Sequence, residues 1–221
     1  MEIKEEKKIP SFFDYDPEDD ARTDIGYETL QDFFLSWTIR CSEIKYKNIN
    51  PTLHEYARRS IIGLIYGYNN DKDEFVIDEQ INNSFQVVSA NTYRQWKNID
   101  ILVEIEITYN NKAVFFVFNI ENKWYSSLRN GQLEKYKKIV EKYYRDKNYE
   151  IINLFITLDD CRENYEEEKR ICRDHKFKFL TVFDIKSSMK LDKETGNALF
   201  DEYWFNFLKE EPEDAASSQA T

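Results

Sequence analysis

Near the middle of this 221-residue chain an almost wholly apolar run, Ala113 to Ile120, ends abruptly in Glu121-Asn122-Lys123. In an extended chain alternate side chains share a face, so Asn119, Glu121 and Lys123 project together. An acid and a base closing so apolar a strand is costly unless something offsets it. Just upstream, Ile99, Ile101, Val103, Ile105 and Ile107 recur at every second position and form one apolar face, and Tyr109-Asn110-Asn111-Lys112 reads as a turn. Antiparallel pairing about the middle of that turn sets Asp100 opposite position 121. A slip of a residue or two would shift the contact and keep the neighbourhood. Two carboxylates and an ammonium are thus expected at one spot. Such carboxylates hold Mg²⁺, or Mn²⁺ in its place, through hard oxygen ligands with waters filling the other positions. The metal polarises a phosphate and acidifies an attacking water. Lys123 would orient that water or stabilise charge developing on the phosphate. An isolated Glu-x-Lys is more often a salt-bridged patch at a sheet rim; the Asp100 pairing and the buried strand shift the balance toward chemistry.

The segments Asn98-Ile99-Asp100-Ile101-Leu102, Ile120-Glu121-Asn122-Lys123 and Gly131-Gln132-Leu133-Glu134-Lys135-Tyr136 resemble the PD-(D/E)XK nuclease superfamily, most closely its branch with a D-I-L … E-N-K … Q-L-x-x-Y pattern. Tyr27-Glu28 through Trp37 resembles that branch's opening helix. The resemblance spans roughly residues 27–160, with Ile99 standing where the literal motif has proline. It implies Asp100 and Glu121 as metal ligands, with the backbone carbonyl of Asn122 as a third, and Lys123 as the catalytic lysine. Gln132 and Tyr136, four apart on one helical face, would support the site or contact the nucleic-acid backbone. Glu28 would be the first-helix acid, with Glu55 as a rival. The implied activity is Mg²⁺-dependent hydrolysis of phosphodiester bonds, with DNA the first expectation for the nucleic acid.

The elements that must position these residues follow from periodicity. Helical spacing predicts helices over 27–39, with Tyr27, Leu30, Phe33, Phe34 and Trp37 on a stripe, and over 53–67. Short strands are expected at 75–77 and 85–88, and the two longer ones above form a hairpin. A helix over 132–144 carries Leu133, Tyr136, Ile139, Val140 and Tyr143. Strands at 151–158 and 177–185 bracket a helix at 165–174, and a last helix covers 198–208. The expected class is α/β, a mixed central β-sheet flanked by helices, and the resemblance makes it restriction-endonuclease-like. Residues 25–208 form the expected nuclease-like domain, between an acidic N-terminal segment, 1–24, and an acidic tail, 209–221.

Net charge is −11, which opposes nucleic-acid binding. Residues 121–148, however, hold eight bases against four acids. No apolar run approaches the ~18 residues of a membrane helix, and MEIKEEKKIP has no apolar signal core. Three cysteines, Cys41, Cys161 and Cys172, do not make a disulfide framework, so a cytoplasmic setting is expected. Cys161, Cys172 and His175 fit no common zinc spacing. Glu104 and Glu106 share the Asp100 face and would extend the site or form a charged outer edge. Trp96, Trp124 and Tyr125 would stack on bases or pack at the rim of the core. Two other classes stand beside the enzyme: a nuclease-like fold with weak or absent chemistry that binds nucleic acid or protein as a regulatory module, and a structural interaction protein that binds no metal. A protein partner or a homo-oligomer is also compatible with the sequence.

Overall fold

A computed structural model describes residues 25–69, 74–75, 81, 84–124, 126–158 and 164–208. The acidic segments 1–24 and 209–221, Tyr125 and Cys161 lie outside the described residues. Residues 24–193 form the larger of two compact units; the described part of the smaller is 194–208.

In the larger unit, α1 (Ile25–Cys41) and α2 (Pro51–Tyr66) precede the sheet. Asn50 caps α2 by accepting from the Leu53 amide, and Pro51 starts it where no helical amide partner is needed. The short strands β1 (Tyr68–Asn69) and β2 (Glu74–Phe75) pair with each other; positions 76–77, also expected as strand, are outside the described residues. Among the described residues the main sheet runs β3 (Phe85–Trp96), β4 (Ile99–Tyr109), β5 (Lys112–Lys123), β6 (Glu150–Thr157) and β7 (Lys178–Thr181), in that spatial order. The first three strands are antiparallel, and β6 and β7 continue parallel from β5. This is the mixed sheet flanked by helices that the sequence predicts. β3 is far longer than the four residues expected, because an edge strand with one neighbour tolerates polar residues such as Asn91, Arg94 and Gln95 that mask its alternation.

The β4–β5 hairpin turns on Asn110 and Asn111, both at positive φ (49° and 61°), the pattern of a tight two-residue turn. Its register runs from Tyr109↔Lys112 to Ile101↔Ile120, as the turn centre requires. Ile99, Ile101, Val103, Ile105 and Ile107 are all buried, and central β5 contributes Phe116, Val117, Phe118 and Ile120. On the other face of the sheet, α3 (Gln132–Tyr144) packs Tyr136, Val140 and Tyr144 against Leu102 and Val117. Leu133 joins Phe155, Phe179 and, from α4 (Tyr165–His175), Cys172.

Four local expectations need correction. Residues 182–185 are not strand: β7 stops at Thr181 and α5 (Val182–Met189) begins there. Thr181 and Asp184 form a reciprocal capping box, which overrides the strand-like run Phe179–Ile185. On α1, Phe33 is half exposed while Leu35 and Ile39 are buried. On α3, Tyr144 is buried and Tyr143 is 45% exposed, because the stripe Leu133-Tyr136-Val140 continues four residues on, at 144. In the smaller unit, α6 (Ala198–Asp201) is capped by Asn197 and passes into a π-helical stretch, Glu202–Phe207, so the helix expected over 198–208 is wound more widely in its second half.

The turn generates a test. A β-branched residue resists left-handed backbone, at about 1–2 kcal/mol. Asn111→Val is therefore expected to lower the unfolding free energy by about that amount, and Asn111→Gly to leave it nearly unchanged. Urea denaturation checks both; equal midpoints for Val and Gly would contradict the turn geometry.

Candidate active site

The hairpin register brings the start of β4 beside the end of β5, where the Asn122 amide donates to Asp100 Oδ2 at 3.0 Å. Gln95, on the edge strand β3, donates from its amide to Asp100 Oδ1 at 3.1 Å. The β5 pleat turns Asn119, Glu121 and Lys123 toward the α3 side. Asn119 donates to Asn153 of β6. Glu121 is 1% exposed, and its Oε1 accepts from Lys123 Nζ at 2.7 Å and from the Gln132 amide at 2.6 Å. Its other oxygen, Oε2, is buried without a hydrogen-bond partner.

Gln132 opens α3 directly after Gly131, whose φ of 72° suits a residue without Cβ. Its amide nitrogen also donates to Tyr136 Oη at 3.3 Å, and its oxygen accepts from the Arg129 amide. Tyr136 itself is buried and meets the site through Gln132. The expected set Asp100, Glu121, Lys123, Gln132 and Tyr136 thus converges at one end of the sheet.

Glu28 has a different position. Its Oε1 accepts from the amides of Trp124 and Ser126 and from the Ser126 hydroxyl, which fixes the chain leaving β5. The rival Glu55 is engaged by Arg58 and Arg59. Glu104 accepts from the Tyr144 and Tyr93 hydroxyls and so is held within a tyrosine cluster. Trp124 is buried and stacks on Tyr27, centroids 5.5 Å apart. Among the described residues no three Asp, Glu, His or Cys side chains form a metal cluster by themselves, and Cys172 is a buried free thiol.

The sequence reading missed Asp32. It lies one helical turn beyond Glu28 on α1, is buried, and accepts from the Asn122 side chain at 2.9 Å. The i, i+4 spacing of the two acids was the available signal. Burial, then the nearby Asp100 charge, pushes the Asp32 carboxyl up to about 7. Burial and Asp100 likewise push Glu121 up to about 8, against the pull of Lys123. Burial would lower the Lys123 ammonium, yet the Glu121 and Asp100 carboxylates raise it, so it stays charged.

The Glu121 and Asp100 carboxylates thus lie beside Lys123, Asp32 lies beside Asp100 with the Arg94 charge nearby, and one buried oxygen of Glu121 lacks a partner. An all-oxygen donor set with excess negative charge fits a hard divalent cation.

The crowding has a pH signature in metal-free protein. Between the ordinary Asp value of 3.8 and about 7, folded Asp32 keeps a proton that the unfolded chain releases. That carboxyl therefore removes stability as pH rises through this window. Asp32→Asn is expected to become more stable relative to wild type by about 1–3 kcal/mol between pH 5 and pH 8. Chemical denaturation in the presence of a chelator measures this; a difference independent of pH would contradict it.

No curated protein and no solved structure matches the chain. A family model described as PD-(D/E)XK nuclease superfamily matches residues 22–197, a span that includes α1, the whole main sheet and every residue of the site above. The chain belongs to the PD-(D/E)XK nuclease superfamily.

Proposed function

We propose that this protein is a metal-dependent nuclease that hydrolyses phosphodiester bonds, with DNA as its substrate. The observation that carries the reading is the meeting of Asp100, Glu121 and Lys123 at the mouth of the β4–β5 hairpin, with Glu121 Oε2 buried and unpartnered. Membership of the superfamily supports the same reaction class.

Asp100, Glu121 and the Asn122 carbonyl would hold Mg²⁺, or Mn²⁺ in its place. Bound there, the cation supplies Lewis-acid polarisation of the phosphate and a lowered pKa for the attacking water. The protein's own groups do the rest. Gln132 and Lys123 both engage Oε1 of Glu121 and leave Oε2 open. Lys123 keeps its ammonium charged beside two carboxylates. It can donate to the water or to a phosphate oxygen as negative charge builds there. Gln132 is a positioning residue, steadied by the Arg129 amide and by Tyr136. Asp32 and Glu28 act through α1: one holds the Asn122 side chain, the other the backbone after Lys123. The setting we propose is the cytoplasm, which suits the free thiols of Cys41 and Cys172. No described helix is long and apolar enough to cross a membrane.

Incubation of DNA and RNA with Mg²⁺ or Mn²⁺ tests the proposal. Wild type is expected to cleave DNA, and Glu121→Ala and Lys123→Ala each to lose about a hundredfold or more in rate. Unchanged activity in both variants would reject the site, and absence of cleavage by wild type would reject the function.

A further inference from the structure

We propose that Trp96, Lys97, Tyr143 and Lys147 form a stacking platform that takes an unpaired base of a nucleic-acid strand beside the Asp100–Glu121 site. This inference rests on the nuclease reading only in taking nucleic acid as the ligand.

The platform adjoins the site through the β3–β4 turn. Gln95, Lys97 and Asn98 there have φ values of 56°, 54° and 67°, and the Gln95 side chain reaches Asp100 at 3.1 Å. The next residue along β3, Trp96, meets Tyr143 of α3 edge to face, centroids 5.0 Å apart. Trp96 is only partly buried, and Tyr143 is 45% exposed. Core packing therefore does not explain Tyr143, whose neighbour Tyr144 fills the core position. Lys97 Nζ lies 4.5 Å from the Trp96 ring centre and 4.9 Å from that of Tyr143, and Lys147 Nζ lies 3.7 Å from Tyr143. Both lysines are exposed.

Ammonium groups over exposed rings are weakly held. A base can displace them from the ring faces, and the same lysines then meet the flanking phosphates, so both halves of the contact improve together. In a duplex the face of each base is covered by its neighbours; an aromatic face can pair only with a base that has left the stack. The charge balance points the same way. The protein carries −11 overall, whereas the segment 121–148, which supplies Tyr143 and Lys147, holds eight bases and four acids. The local excess of positive charge on this segment favours the approach of a polyanion.

Fluorescence anisotropy with labelled oligothymidylate, an abasic oligomer of equal length and a duplex, at low salt with chelator, tests the proposal. Wild type is expected to bind oligothymidylate about tenfold or more tighter than the abasic chain, which has the same charge and no rings. Tyr143→Ala, at an exposed position, should lose about five- to hundredfold on oligothymidylate and remain within about twofold on the abasic oligomer. Trp96→Phe should keep the base preference, and Lys97→Ala with Lys147→Ala should weaken both ligands. Equal binding of oligothymidylate and abasic oligomer by wild type, unchanged binding by Tyr143→Ala, or tighter binding of the duplex than of the single strand would overturn the platform. Base-selective binding without cleavage of any nucleic acid would overturn the nuclease reading alone, and cleavage without base preference would overturn the platform alone.

Discussion

The site depends on one alignment, the register of the β4–β5 hairpin. Asp100 and Glu121 are 21 positions apart in sequence and meet only because a two-residue turn fixes which pairs of residues face each other. A shift of one residue would send Glu121 and Lys123 to the opposite face, away from Gln132. The two asparagines at positive φ define the turn from one end. The alternating isoleucines of β4 define it from the side, since any slip would expose them. Parallel pairing with β6 then holds β5 from its other edge, and Asn119–Asn153 carries a polar contact through the sheet just short of the site.

That alignment creates an electrostatic difficulty. Asp32, Asp100 and Glu121 lie at the same end of the sheet in a protein that is already strongly acidic; among the described residues Lys123 pairs with Glu121, and the Arg94 charge acts on Asp32. Hydrogen bonds from Gln95, Gln132, Asn122 and its amide satisfy most of the carboxylate oxygens. They supply no full positive charge. The unmet part is the excess of negative charge and two buried oxygens, Glu121 Oε2 and Asn122 Oδ1, and the divalent cation proposed above would offset the charge. The surrounding helices bear the cost of holding this arrangement: α1 ties down Asn122 and the chain after β5, and α3 ties down Glu121.

Much of this was legible in the residues. The central hairpin, its register and the grouping of Asp100, Glu121 and Lys123 follow from period-two alternation about a short polar turn, and α3 follows from its apolar stripe. Asp32 was not legible, because an acid inside an amphipathic helix reads as solvent-facing unless the strand end beneath it is known to offer Asn122. Tyr143 and Tyr144 are adjacent and chemically alike, so only the packing of α3 on Leu102 and Val117 decides which is core and which faces solvent. The reach of β3 was hidden by its edge position, and α5 by an apolar run whose helical start rests on a single Thr–Asp capping pair.

Calorimetric titration with Mn²⁺ in the absence of nucleic acid decides whether Asp100 and Glu121 jointly hold a divalent cation. Saturable binding is expected for wild type and is expected to be lost in both Asp100→Asn and Glu121→Gln, with each variant folded by circular dichroism. Binding that persists unchanged in either folded variant would contradict joint binding.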